Sequence, residues 1–137
     1  MDLKASIETS VSGMSSQATR MRIIAENLAN AQSTSQTPGG DPYRRRVVTF
    51  SNELDRANGA KLVKVKSVEP DKSNFETQFN PNHPAADENG YIKLPNVNST
   101  IETMDMNQAQ RSYEANLAAI KAAQNMMIRT IDLLNSR

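Results

Sequence analysis

The chain has no cysteine, no tryptophan and few aromatic residues of any kind. The absence of cysteine excludes disulfides, thiol nucleophiles and thiolate metal sites, and it fits any redox compartment. Aromatic residues make up 4% of the 137 residues and hydrophobic residues 37%. Aromatic side chains provide much of the buried area in ordinary cores. The composition, which relies on Ala, Ile, Val, Leu and seven Met, therefore predicts thin helix–helix contacts instead of a thick core.

Long apolar runs and an excess of one charge are missing as well. No stretch approaches the roughly 20 apolar residues that cross a bilayer, and residues 1–12 lack the apolar stretch of a secretory signal peptide. The net charge is +1, from 16 basic and 15 acidic residues, so no whole-chain field attracts nucleic acid or acidic lipid. Conventional signals therefore predict a cytoplasmic protein that does not span a membrane, although export without a cleaved signal remains open.

Apolar residues spaced alternately by four and three predict one helix from Leu3 to Asn30 and another from Ser99 to Asn135. Ser99 or Thr100 is the expected N-cap of the second helix, with Glu102 in a capping box. Alanines at positions 18, 25, 109 and 123 would let two helices approach closely. The predicted helix-packing residues are Ile7, Val11, Met14, Met21 and Leu28 in the first helix, and Met106, Tyr113, Leu117, Ile120, Met127, Ile131 and Leu134 in the second.

The middle of the chain has no helical period. Residues 31–42 are predicted to form a polar loop, and Asn58-Gly59 a turn. Short strands of one small antiparallel sheet are predicted at 46–51, 61–68 and 74–79. Residues 80–98 contain three prolines and are predicted to be a long loop without regular structure. The predicted fold is mainly α with a small β insert, in one domain over 1–137: an N-terminal helix (1–30), a loop and β insert (31–98) and a C-terminal helix (99–137).

Two terminal helices that pair as a coiled coil would bury little area within one chain. Small cores are marginally stable, so the chain is expected to need neighbours and to be a structural subunit of an assembly. Periodicity alone leaves an ordinary helical hairpin equally open. Such a hairpin would be a soluble adaptor that binds one partner and does not polymerise.

Few residues suggest chemistry. His83, the only histidine, is followed by Asp87 and Glu88, but a metal site would need further ligands. A turn-rich loop whose polar groups satisfy the backbone is the simpler interpretation. Arg44, Arg45 and Arg46 are the densest charge run. Because acidic residues surround it, we expect a salt-bridge patch between subunits, or a contact with an acidic surface, instead of nucleic acid. No catalytic residue, metal or cofactor is predicted, and an enzyme would require a pocket around His83.

Three stretches carry a resemblance to a known family. Residues 24–34 (IAENLANAQST) resemble the N-terminal signature shared by flagellar rod and hook proteins, in which Asn27, Leu28, Ala29 and Asn30 form the motif. Further segments resemble the proximal rod proteins of that family: residues 42–46 (PYRRR), 81–98 (PNHPAADENGYIKLPNVN) and 109–116 (AQRSYEAN). The resemblance covers nearly the whole chain in matching order.

The resemblance implies a subunit of the flagellar basal-body rod, exported to the periplasm by the flagellar type III apparatus without a cleaved signal. Expected partners are copies of itself, other proximal and distal rod proteins, the inner-membrane ring with its rod adaptor, and the export apparatus. Nucleic acid is not an expected partner. Loop residues expected at a subunit interface are Tyr43, Arg44, Arg45, Pro81, His83, Pro84, Asp87, Gly90, Tyr91, Pro95 and Asn96.

Overall fold

The computed structural model describes residues 3–56 and 59–135. The first helix, α1, spans Leu3–Ala29, and the second, α2, spans Ser99–Asn135. Between them lie four strands: β1 (Arg46–Leu54), β2 (Lys61–Pro70), β3 (Glu76–Phe79) and β4 (Tyr91–Leu94). The predicted class, mainly helical with a small β insert, is confirmed.

The periodic segments form the two helices with nearly the predicted bounds. The pairs Lys4–Glu8 and Arg22–Glu26, each four residues apart on the exposed side of α1, support it at 3.8 and 2.8 Å. Helix α2 begins after Asn98, whose side-chain oxygen accepts the backbone amides of Thr100 (3.0 Å) and Ile101 (3.2 Å). The predicted cap at Ser99 or Thr100 is therefore one or two residues late. None of the described helices has the length and apolarity that crossing a bilayer requires.

The strands form two separate two-stranded sheets, where a single small sheet was predicted. Strand β1 neighbours β2 in one, and β3 runs antiparallel to β4 in the other, with Phe79 opposite Tyr91. Strand β4 lies inside 80–98, so the prediction of a structureless loop there is wrong. Its four residues were too few for a recognisable alternation, yet Ile92 is buried. Gly59 has a positive φ of 65°, as a turn requires, whereas Asn58 of the predicted turn lies outside the described residues.

The described residues form two compact units. Unit 1 comprises 1–21, 49–67 and 107–137, and unit 2 comprises 22–48 and 68–106. Among the described residues of unit 1, the buried ones are small: Ser10, Ser16, Ala60, Ala109 and Ala123. Unit 2 buries larger side chains: Ile23, Ile24, Asn27, Ile92 and Glu102, together with Ala85. Small buried residues mean thin contacts, which is what the aromatic-poor composition predicts.

Candidate functional site

Asn27, from the rod-family motif, is the centre of a hydrogen-bond network in unit 2. Its side chain is 1% exposed and uses both of its polar atoms. The amide nitrogen donates to the backbone oxygen of Arg46 (2.9 Å) and to Glu102 Oε2 (3.0 Å). The amide oxygen accepts the Tyr43 hydroxyl and the Arg46 backbone N–H, both at 2.9 Å. A buried amide with all these bonds made is stabilising, and it fixes the path of the chain after α1.

Glu102 is the charged member of this network and is also 1% exposed. Its Oε1 accepts from Arg45 Nε at 2.5 Å, and Arg45 also reaches Asp71 Oδ2 at 3.4 Å and Asp105 Oδ2 at 3.8 Å. Burial alone would lower the pKa of Arg45, but the hydrogen bonds and charges of Glu102 and Asp71 outweigh it and raise that pKa. The buried carboxylate is thus neutralised by a permanent cation, as buried charges require.

The position of Tyr43 within the network keeps its hydroxyl protonated. Burial raises the pKa of the Tyr43 hydroxyl, the charges of Glu26 and Glu102 raise it further, and the Arg46 charge opposes them. The hydroxyl therefore stays protonated and continues to donate to Asn27.

Asn96 extends the network to the segment before β3. Its side-chain oxygen accepts the Arg45 backbone N–H at 2.8 Å, and its nitrogen donates to the Ser73 hydroxyl at 2.9 Å. Arg44 donates to the backbone oxygens of Asp71 (2.8 Å) and Ser73 (2.9 Å), and its guanidinium lies 4.1 Å from the Phe75 ring centre. Residues from three of the stretches that carry the family resemblance therefore meet with Asp71 and Glu102 in one network. We call it the Asn27 network: Asn27, Tyr43, Arg45, Asp71, Asn96 and Glu102.

Several residues predicted to lie at a subunit interface make hydrogen bonds within their own chain. The polar groups of Tyr43, Arg44, Arg45 and Asn96 bond to their own chain, and Pro95 is buried. Whether these residues also contact a neighbouring subunit stays a prediction. Arg46 also bonds to Glu26 of its own chain at 2.9 Å, and a salt-bridge patch between subunits stays a prediction.

Residues 79–91 form a turn-rich hairpin end. His83 Nδ1 accepts the Ala85 amide at 3.1 Å, and Asp87 Oδ1 accepts the amides of Asn89 and Tyr91, each at 2.9 Å. These bonds match the simpler interpretation of the loop, in which polar side chains satisfy the backbone. Within 3–56 and 59–135 there is no group of three or more His, Asp or Glu placed to hold a metal ion. Pro81 and Pro84 are exposed.

In unit 1 the two helices run antiparallel and touch at a glycine. A Cβ at Gly13 would lie 2.9 Å from Asn116 Nδ2, and Arg20 Nη2 lies 3.5 Å from Gln108 Oε1. The lack of a side chain at Gly13 is therefore what permits this approach, and the helix-propensity cost of glycine has a structural reason. The predicted close approach holds for Ala109 and Ala123, which are buried, but Ala18 and Ala25 are exposed.

Strand β2 is fixed to α1 by two serines one turn apart. Ser16 Oγ donates to the backbone oxygen of Val63 at 2.9 Å, and Ser12 Oγ accepts the Val63 amide at 3.1 Å. The two hydroxyls thus replace a strand partner for this residue. The sequence carried no signal for this contact, because serines on a helix usually face solvent.

The predicted packing column of α2 is not its most buried line. That line is Glu102, Ala109, Asn116 and Ala123, four residues behind Met106, Tyr113, Ile120 and Met127, which are only partly buried. Four residues correspond to about 40° around a helix. In α1, Ile7, Met14, Met21 and Leu28 are likewise partly buried, and Val11 is 51% exposed. The predicted residues flank the intrachain contact and keep part of their surface accessible, and their packing against neighbouring subunits remains a prediction.

The end of α2 extends beyond α1. With Gly13 level with Asn116 and Arg20 level with Gln108, Leu3 lies level with about residue 126. The last nine described residues of α2, roughly 13 Å of helix, therefore have no α1 beside them. Four large apolar side chains there are exposed: Ile128 56%, Ile131 56%, Leu133 71% and Leu134 71%. We call residues 127–135 the α2 overhang.

Comparison with known proteins agrees with this picture. A family profile described as "Flagella basal body rod protein" matches residues 7–35, and one described as "Flagellar basal body rod FlgEFG protein C-terminal" matches residues 88–133. A protein from Agrobacterium fabrum named "Flagellar basal-body rod protein FlgC" is 49% identical, over 98% of this chain and 96% of its own length. Proteins of the same name from Borreliella burgdorferi and Salmonella typhimurium are each 36% identical, over 98% and 89% of this chain and 99% and 90% of their own lengths.

Proposed function

We infer how this chain works from the premise that it belongs to the family of flagellar basal-body rod proteins named FlgC. It is a structural subunit of the flagellar basal-body rod. The resemblance seen in the sequence is thereby confirmed, and neither the contacts of the described residues nor the comparisons favour the adaptor alternative.

Beyond the family, we propose that the chain assembles helically with its own copies and with other rod proteins in the proximal rod. It would transmit torque and enclose the export channel, next to the inner-membrane ring and its rod adaptor. We also propose that it reaches the periplasm through the flagellar type III apparatus without a cleaved signal. Many small helix–helix contacts, repeated along a helical assembly, would give stiffness without any single strong bond.

The α2 overhang is the observation that supports assembly best. Exposed apolar side chains on three successive turns are unfavourable in water, and contiguous patches of this kind mark interaction sites. In a rod, a neighbouring subunit would cover Ile128, Ile131 and Leu134. Burying them would add roughly 1.5–3 kcal/mol for each large side chain that becomes fully covered.

The test is Ile131→Asp, with Ala122→Asp as its matched control. Both positions are exposed on α2, and nine residues place Ala122 on the opposite side of the helix. Both changes add one negative charge. In cells that lack the native gene, we expect Ile131→Asp to abolish swimming and incorporation into purified basal bodies, since it would bury a charge. Export of the chain should continue, and Ala122→Asp should swim. Normal swimming with Ile131→Asp would refute assembly through the overhang.

A further inference from the structure

The two edges of the β3–β4 sheet differ. The Asn80 amide donates to the Gly90 oxygen at 2.9 Å, and the same register pairs Gln78 with Ile92 and Glu76 with Leu94. Hydrogen-bonded pairs alternate along an antiparallel ladder. The N–H and C=O groups of Thr77 and Phe79 therefore point away from β4, to the outer edge of β3.

That outer edge of β3 is open at both residues, whereas the outer edge of β4 is closed at Tyr91. On β4, the Asp87 backbone N–H donates to the Tyr91 oxygen, and the Tyr91 amide donates to Asp87 Oδ1, both at 2.9 Å. On β3, the backbone groups of Thr77 and Phe79 have no partner among the described residues, and all four residues of the strand are exposed. Unpaired strand edges are templates for adding another strand.

Close contacts around Gly90 and Phe79 fix the conformation of the open edge at the C-terminal end of β3. Gly90 has a φ of 82°, and a Cβ there would lie 3.0 Å from the Phe79 ring and 3.1 Å from Pro81 Cβ. The Phe79 and Tyr91 rings meet edge to face, with centres 5.2 Å apart. Phe79 is nevertheless 62% exposed. The edge thus offers an aromatic anchor beside two free backbone positions, and little ordering is needed for a strand to dock.

The charge of the edge indicates the chemistry of its occupant. Glu76, the one charged side chain of β3, has no ion-pair partner among the described residues. The nearest cation along the register, Lys93 opposite Thr77, is paired with Asp41 at 2.8 Å. An added strand would therefore gain most from a Lys or Arg placed next to Glu76.

We propose that the outer edge of β3 receives an extended, basic segment of a different protein subunit, which pairs with Thr77 and Phe79. This rests on the proposed function, since the rod supplies neighbouring subunits. A second copy of this chain fits less well because pairing β3 with another β3 would bring two uncompensated Glu76 carboxylates to one sheet.

The test is Thr77→Pro, with Thr77→Val as control. Proline removes the outward N–H of residue 77 but no bond to β4, and proline is accepted on edge strands for this reason. Valine keeps the backbone donor. We expect Thr77→Pro to be exported and to melt within about 2 °C of the native chain. Its amount in purified basal bodies should nevertheless fall at least tenfold, while Thr77→Val incorporates normally.

A second measurement does not depend on the variant. Exchange of the Phe79 amide should be at least tenfold slower in native basal bodies than in the free chain. Unchanged exchange, or normal incorporation of Thr77→Pro, would overturn the proposal. Exchange that slows with concentration of the purified chain alone would also overturn it, in favour of a second copy. Absence of the Thr77→Val chain and the native chain from basal bodies would instead contradict the proposed function.

Discussion

The two compact units hold their helices by different means. In unit 2, Asn27 and Glu102 are buried polar groups with directional bonds to Arg45, Arg46 and Tyr43. In unit 1, the helices meet at Gly13 and at small side chains. Buried polar groups accept few alternative registers, whereas small apolar surfaces permit close approach with little energy. The comparison suggests that unit 2 orders by itself and that unit 1 gains its stability from neighbours.

The largest expected effect comes from Asn27→Asp, which is nearly isosteric. It replaces the nitrogen that donates to Glu102 Oε2 with an oxygen, so two carboxylates would share one buried site. We expect the free energy of unfolding at pH 7 to fall by at least about 3 kcal/mol. The loss should shrink at acid pH, since one carboxylate can bind a proton. Denaturant unfolding of the purified chain measures both effects.

Asn30→Asp is the matched control for that change. Asn30 is partly exposed and donates to the Glu26 backbone oxygen, so its replacement should cost no more than about 1.5 kcal/mol. If both variants unfold alike, the Asn27 network does not provide the specific stability of unit 2.

A smaller effect is expected in unit 1 from Gly13→Leu. The new side chain would meet Asn116 and force the helices apart, at a cost of about 1–3 kcal/mol. Ala18→Leu, at an exposed position of the same helix, should stay within about 0.5 kcal/mol of the native chain. Thermal unfolding by circular dichroism compares the two. Equal stability would mean that the Gly13 contact does not form in the free chain.

The smallest effect should follow from Asp71→Asn. The Ser73 amide bonds to the Asp71 carboxylate at 2.9 Å and, with Arg45, lowers its pKa below 3.8 although burial acts in the opposite direction. The stabilisation is therefore complete above pH 3.8 and is lost as the pH falls through the folded-state pKa. We expect the native chain to be more stable than the variant by at most about 1 kcal/mol at pH 7. The difference should shrink steadily as the pH is lowered below 3.8, and a difference that stays constant there would contradict this account.

Most of the regular structure was predictable because helices this long repeat their pattern many times. Helix α2 has the predicted bounds, α1 ends one residue early, and β1 and β2 are longer than predicted by three and two residues. Strand β4 was missed because four residues contain little periodic information. The cap was misplaced because Ser, Thr and Asn all suit that position, and only the bonds to Thr100 and Ile101 select Asn98.

Most members of the Asn27 network were predictable, but Asp71 and the arrangement were not. The family motif pointed to Asn27, and the loop stretches pointed to Tyr43, Arg45 and Asn96, yet as an interface motif and interface loops. Glu102 was expected in a capping box. The backbone of Glu102 does bond to Asn98, at 3.0 Å, but its side chain turns to Arg45 and Asn27. The sequence does not show whether a glutamate in the first turn of a helix caps that helix or bonds to side chains distant in the sequence.

By itself, the sequence determined two long helices with apolar stripes and a thin core. These follow from composition and periodicity, which act between residues close in the chain. Only the tertiary structure decided that Glu102 meets Asn27, 75 residues away, and Arg45, 57 residues away. It also decided which edge of β3–β4 stays open. Such pairings depend on the whole path of the chain, because a polar side chain accepts any complementary partner that the fold brings within about 3 Å.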